Sequence, residues 1–217
     1  MNTKIIAISG FRSSGKDTAA DIIVKDFNAT KLSFAEPLKK LVAIQYNLPI
    51  IYMNDPKLKD LPLEDMPLSP KDKFNEAIHS LLREELKFGY WTPRALTILE
   101  GSTKRSVNPD YWATQVINRI RSYNAYEVAA DDIFGTKTNS TIYVVSDLRF
   151  KNEAEQLKRN FKENLLLIRI NRFDEIDSTD PSERDLDDYP FDVIVENKST
   201  KDKFEEKIKQ IAGEFLK

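Results

Sequence analysis

Apolar positions along the chain follow two patterns. Five short runs, 4–9 "KIIAIS", 30–34 "TKLSF", 142–146 "IYVVS", 165–170 "LLLIRI" and 192–195 "DVIV", are β-branched and for the most part continuously apolar. Strands buried on both faces read this way. Other stretches carry a helical period. "SPKDKFNEAIHSLLREELKFG" places Ser69 as a cap, Pro70 at the first helical position and Gly89 as terminator. Phe74, Ile78, Leu81, Leu82 and Leu86 then share one face. "TPRALTILEG" and "NPDYWATQVINRI" repeat the cap-then-proline start at Thr92 and Asn108, and a helix over about 200–216 aligns Phe204, Ile208, Ile211, Phe215 and Leu216. The alternation of strands and helices predicts an α/β fold, a mostly parallel sheet of about five strands with helices on both faces.

Two stretches read as loops. Residues 54–70 hold four prolines and little periodicity, and residues 122–141 read as a polar link, partly mobile, from a helix to the third strand. No internal repeat or low-complexity tract is present, so the chain reads as one domain with excursions.

Composition narrows the chemistry. A chain of 217 residues with 41% hydrophobic and 31% charged residues suits one sizeable soluble domain. The absence of cysteine excludes disulfides, thiolate catalysis and Cys-based zinc sites. The first apolar run is too short for a signal-peptide core or a membrane span, so a cytoplasmic protein with no membrane partner is expected. The single histidine, His79, falls mid-helix and reads as structural. Residues 174–192 contain nine Asp or Glu and one Arg, a local charge of −8, which leaves +6 on the rest of a chain of net −2. That balance suits small polyanionic ligands held by a few cations and not a nucleic acid polymer. The acidic run itself reads equally well as a solvated loop or as a functional segment.

The most specific motif is "SGFRSSGKDT" at 9–18, just after the apolar "IIAI" and before the helix-like "KDTAADIIVKDF". G-x-x-x-x-G-K between strand and helix is a phosphate-binding loop: backbone N–H groups and the helix's positive end wrap phosphate oxygens, and the lysine reaches the outer phosphates. Gly10, Phe11, Arg12, Ser13, Ser14, Gly15, Lys16, Asp17 and Thr18 are the candidate nucleotide contacts. Asp17 stands where the general motif has Ser or Thr. Its carboxylate is a hard oxygen ligand suited to magnesium, directly or through water, and Thr18 supplies a hydroxyl next to it. Alternatively Asp17 only complements the helix end.

The residues also resemble a known family. "SGFRSSGKDT" is similar to the G-K-D loop of bacteriophage deoxynucleoside monophosphate kinases and of animal-type phosphomevalonate kinases. "FAEPLK" (34–39), "ILEGSTKRSVNPDYWA" (98–113) and "VVSDLRFKNEAE" (144–155) resemble blocks of the phage enzymes, and "SERDLDDYPFDVIVEN" (182–197) is shared in outline with both groups. The resemblance implies a single P-loop kinase domain over 1–217, a three-layer sandwich with an acceptor-binding helical region at about 35–120 and a lid-like segment at about 172–190. The charge density and lack of apolar anchors in 174–188 suit such a lid.

Phosphoryl transfer needs cations that position phosphates and absorb spreading charge. Arg12 lies in the loop, Arg149 follows the third strand, and Arg169 and Arg172 end the fourth, although alternation leaves the direction of Arg169 open. Arg94 and Arg105 flank "GST", read as a turn. The resemblance supports Arg12, Arg105, Arg149 and Arg172 most directly. Asp147 ends a strand and suits a magnesium or arginine contact, or a plain turn carboxylate. Phe34 and Trp112 are assigned to the acceptor pocket only because the resemblance includes both. Catalysis is thus expected from Lys16, Arg12, Asp147, Arg149 and Arg172. Acceptor binding is expected from Phe34, Arg94, Arg105, Trp112 and Arg149, and metal binding from Asp17, Thr18 and Asp147.

The expected reaction is transfer from ATP, with Mg²⁺, to a deoxynucleoside monophosphate, in the host cytoplasm if the chain is phage-encoded. The alternatives are a phosphomevalonate kinase-like enzyme and a nucleotide-gated binding protein that phosphorylates nothing. The base accepted and the oligomeric state, a homodimer included, stay open.

Overall fold

The computed structural model describes residues 3–63, 91–134, 141–172 and 181–217, with the backbone alone at 126–134 and 181. Five strands form one sheet: β1 (Lys4–Gly10), β2 (Thr30–Leu32), β3 (Ile142–Leu148), β4 (Leu165–Asn171) and β5 (Val193–Glu196). The order is β2-β3-β1-β4-β5, and every pairing is parallel. All five predicted strands are present.

Eight α-helices lie among the described residues: α1 (Lys16–Phe27), α2 (Ala35–Gln45), α3 (Ile51–Asn54), α4 (Pro93–Val107), α5 (Tyr111–Phe134), α6 (Lys151–Phe161), α7 (Pro181–Arg184) and α8 (Lys201–Leu216). Successive strand residues serve opposite faces. Ile5 and Ala7 of β1 join Ile117 and Ile120 of α5 and Leu157 of α6, whereas Ile6 and Ile8 join Ile23 of α1 and Phe204 and Ile208 of α8. Period-two alternation in β1 therefore feeds two separate cores, as a three-layer P-loop kinase-type sandwich requires. No helix among the described residues is long and apolar enough to cross a membrane.

The chain divides into two compact units, Met1–Phe34 with Trp112–Lys217, and Ala35–Tyr111. The first holds the whole sheet. In the second, α2 and α4 pack together, and Glu100 is buried on α4 while accepting from Gln45 Nε2 at 2.7 Å and Tyr46 Oη at 2.6 Å. Burial and that carboxylate push the Tyr46 hydroxyl's pKa well up.

The start of α4 follows its sequence signal, whereas α5 begins at Tyr111, two residues beyond the Pro109 expected to open it. Thr92 Oγ1 accepts from Ala95 N at 3.0 Å, with Pro93 as the first residue of α4. Two further expectations are corrected. The "GST" segment is not a turn: Gly101, Ser102 and Thr103 lie inside α4. A Cβ at Gly101 would sit 3.1 Å from Leu38 Cδ2, so the glycine admits a neighbouring helix and does not end its own. The link expected at 122–141 is helical through Phe134. Ala125, Glu127, Ala129 and Ala130 favour helix, and no Gly or Pro interrupts before 135. The helix predicted over 69–89, His79 included, lies outside the described residues.

Candidate active site

Register builds the site. Ser9, the last residue before the glycine loop, pairs with Leu148 of β3 on one side and Arg169 of β4 on the other. The "GFRSSGK" loop, the residues after β3 and the end of β4 thus share one rim at the strands' carboxyl ends, where open α/β sheets bind ligands. Between Ala7 and Ser9 the β1–β3 register shifts, because β3 takes three steps (Val145 to Leu148) for two of β1. The extra residue is a bulge that re-aims side chains at the rim.

The loop's glycines have separate reasons. A Cβ at Gly10 would meet Ser14 Oγ at 2.4 Å and the Ile170 carbonyl at 2.7 Å. Gly15 has φ 105°, and a Cβ there would meet Asn197 Nδ2 at 2.5 Å. That amide donates to the Ser14 carbonyl at 2.8 Å and so braces the loop from the end of β5. Ser14 N donates to the Phe11 carbonyl at 3.1 Å, while Ser14 Oγ is buried with no hydrogen-bond partner.

Lys16 is 7% exposed, and its Nζ folds back onto the Phe11 carbonyl at 3.2 Å. Burial lowers its pKa, and the positive charge of Arg149 lowers it further, against the opposing pull of Asp17, Glu183 and Asp147. Arg149 is itself fixed from two directions. Its backbone N–H donates to Glu153 Oε2 at 3.0 Å, and its Nη1 donates to Glu183 Oε1 at 2.5 Å and Ser182 Oγ at 3.3 Å. Arg172 Nη1 donates to the Ser13 carbonyl at 3.2 Å. The side chain of Arg12 is exposed, and its backbone N–H donates to Glu183 Oε2 at 2.9 Å.

Asp147 accepts from Ser33 Oγ and from Phe34 N, each at 2.8 Å, one on each carboxylate oxygen. It ties the end of β2 to β3 while lying close enough to Lys16 to act on its charge. Asp17 is 73% exposed on α1, 3.8 Å from Lys31 Nζ, which also pairs with Asp21 at 2.7 Å. Thr18 is exposed as well. Phe34 and Trp112 are 3% and 1% exposed, Phe34 inside the α5–α6 core. Arg94 and Arg105 belong to the other compact unit. Asp60 holds both Nε and Nη2 of Arg94, and Arg105 lies a helical turn beyond Gly101, its Nη1 about one van der Waals contact from that position.

Glu153 escaped the sequence reading, and the direction of Arg169 was left open by it. Glu153 caps α6 through the Arg149 and Phe150 amides, a role the sequence does not signal because the N-cap position holds Phe150 and not Ser, Thr, Asp or Asn. Arg169 points to the α5–α6 face, 6% exposed. It donates to Ser9 Oγ at 2.9 Å and Asp187 Oδ1 at 3.0 Å, with its guanidinium 4.6 Å from the Phe11 ring centre. Of the segment 174–188 expected to act as a lid, 174–180 lies outside the described residues. The rest is not without an apolar anchor: Leu186 is 1% exposed in the core, and Asp185 accepts from Lys151 N at 2.7 Å. Nor are the carboxylates from 183 to 192 merely solvated, since Asp192 also accepts from Leu167 N at 2.8 Å.

With this geometry in place, residues 4–69 match the family model for deoxynucleotide monophosphate kinase. The match marks the chain as a kinase, a phosphotransferase acting on a nucleotide monophosphate. It takes in β1, the glycine loop, α1, β2 and the start of the helical unit, whereas Arg149, Arg172 and Glu183 lie beyond it. No curated protein matches the chain.

Proposed function

We propose that the chain transfers the γ-phosphoryl group of ATP to a deoxynucleoside 5′-monophosphate, giving the diphosphate and ADP, in the cytoplasm. The observation that carries this reading is the convergence of Lys16 and Arg149 at the glycine loop. Two cations close enough that Arg149 lowers the pKa of Lys16 repel one another, a repulsion that Glu183 offsets only in part, and phosphate oxygens relieve it further. Ser14 Oγ and the backbone N–H groups of the loop add uncharged donors suited to the same oxygens.

In the reaction the bond from Pγ to the β,γ-bridging oxygen breaks as an oxygen of the acceptor's phosphate forms a bond to Pγ, with ADP leaving. Lys16, Arg12, Arg149 and Arg172 hold the reacting phosphates in line and absorb charge as it spreads over the transferring group. The acceptor oxygen is already ionised, so no base is required at this site. Arg105 serves the acceptor phosphate, and Arg94 does so less because Asp60 already engages its guanidinium. Phe34 and Trp112, both buried, act as wall residues behind the acceptor.

Magnesium supplies charge neutralisation at the phosphates. In such sites it is held by one or two carboxylates, the phosphates and water. Asp17 and Thr18, exposed at the loop's end, and the Asp147 carboxylate, close enough to act on Lys16, are the hard oxygen donors that would fit that set. No group of three or more carboxylate or imidazole residues able to hold a metal occurs among the described residues, so the nucleotide would provide the remaining ligands.

The test is ADP release on an acceptor panel of the four common dNMPs, their ribose counterparts and phosphomevalonate, with an acceptor-free control. Release stimulated by at least one dNMP, and reduced ~10³-fold or more in folded Lys16→Ala, is expected. Stimulation by phosphomevalonate alone, or none by any acceptor, would overturn the proposal.

A further inference from the structure

One carboxylate of the acidic run reaches the glycine loop. Glu183 Oε2 accepts from the Arg12 N–H at 2.9 Å and Oε1 from Arg149 Nη1 at 2.5 Å, and the side chain is 12% exposed. Its charge also acts on Lys16 and Arg169. A loop N–H and a guanidinium, one on each oxygen of a single planar anion, form the donor pair that takes two oxygens of a phosphoryl group. Neighbouring carboxylates engage other groups. Asp185 takes the Lys151 N–H, Asp188 takes Lys151 Nζ at 2.7 Å, and Asp187 takes Arg169 and Arg184.

We infer that Glu183 is an internal stand-in for phosphate, filling the anion position of the loop until nucleotide phosphates displace it. The inference rests on the phosphate-binding reading of the loop and deepens it, because it names Arg149 and the Arg12 amide as the donors that a phosphoryl group takes over. Competition follows from valence and charge. The Arg12 amide has one hydrogen to give, and a carboxylate left beside a polyphosphate is repelled by it. While in place, Glu183 offsets the repulsion between Arg149 and Lys16 and keeps the cations assembled before the ligand arrives. Its departure needs only rotation about its side-chain bonds. The backbone stays, because Leu186 is buried and Asp185, Asp187 and Asp188 keep their partners.

Calorimetric titration with tripolyphosphate, which has neither base nor sugar, and with ADP, both without Mg²⁺ at low ionic strength, tests the idea. Glu183→Gln keeps the shape and removes the charge, so it should bind roughly tenfold tighter than wild type, equivalent to about 1.4 kcal/mol. Glu183→Asp, too short to span both donors, should also gain affinity, and it covers the case in which the glutamine variant folds poorly. Asp188→Asn makes the same charge change in the same segment and should stay within about twofold of wild type, since its surface charge is screened. Equal affinities for wild type and both Glu183 variants would overturn the stand-in role while leaving the phosphate loop intact. A gain in Asp188→Asn as large as in Glu183→Gln would reduce the effect to net charge and overturn it too. If no form, wild type included, binds either ligand, the phosphate-loop reading fails and takes the inference with it.

Discussion

Gly15→Ala should damage the site in two measurable steps. Gly15 has φ 105°, and an alanine forced into left-handed geometry costs about 1–3 kcal/mol. Its Cβ would also lie 2.5 Å from Asn197 Nδ2, so that amide must move and its 2.8 Å bond to the Ser14 carbonyl is lost. A typical hydrogen bond of this kind contributes about 0.5–1.5 kcal/mol. Together these give a destabilisation of about 1.5–4.5 kcal/mol, measurable as a lower urea midpoint with an unchanged slope. The steric part belongs to the pair. Asn197→Ala alone should cost only the hydrogen bond, and in the double variant the two losses should sum to less than their separate values by about 1 kcal/mol, as for residues in contact. ADP affinity should fall in Gly15→Ala and recover in part in the double variant. A single variant within 0.5 kcal/mol of wild type, or strict additivity, would refute the claim that Asn197 packing and left-handed geometry both demand glycine here.

Other consequences follow from the same contacts. Burial and Arg149 hold the Lys16 pKa below its ordinary 10.5, whereas bound phosphate favours the charged form. ADP binding should therefore take up protons in alkaline buffer and weaken with rising pH earlier than an ordinary lysine would dictate; no proton uptake would contradict it. The same depressed pKa penalises the fold below it and is relieved as pH rises toward the unfolded value, so Lys16→Met should stabilise the protein more at neutral than at alkaline pH. If Asp17 serves the metal, Asp17→Asn should raise the Mg²⁺ needed for half-maximal turnover; if it only complements the helix end, the change should cost about 0.3–1 kcal/mol of stability and leave the titration unmoved. Leu186→Ala should cost about 2–5 kcal/mol and speed amide exchange selectively over 183–188. A uniform change in exchange would mean that Leu186 is not the segment's anchor.

Much of the fold was legible because buried parallel strands leave continuous β-branched runs, and all five were found that way. The order β2-β3-β1-β4-β5 was not, since two apolar faces carry no label for which neighbour lies alongside. The loop was legible because its chemistry is local: two glycines, a lysine and a following helix within ten residues. Its supports were not. Glu183 and Asn197 meet the loop from 171 and 183 positions away, and neither side chain differs in sequence from a surface residue. Gly101 misled for a related reason: glycine usually ends a helix, and only the approach of Leu38 explains one in the middle. In the acidic run a lone apolar position such as Leu186 has no periodic partner to mark it, although its burial anchors residues 183–188.

Everything above turns on whether this site moves a phosphoryl group from ATP to a deoxynucleoside monophosphate. Phosphorus NMR of a mixture of ATP, Mg²⁺ and each dNMP tests it most directly, because ADP released by hydrolysis is distinguished from a new diphosphate on the acceptor. Wild type should give the paired diphosphate signals of a dNDP, growing in step with ADP, and Lys16→Ala should give none. Inorganic phosphate accumulating in place of a dNDP for every acceptor would contradict it.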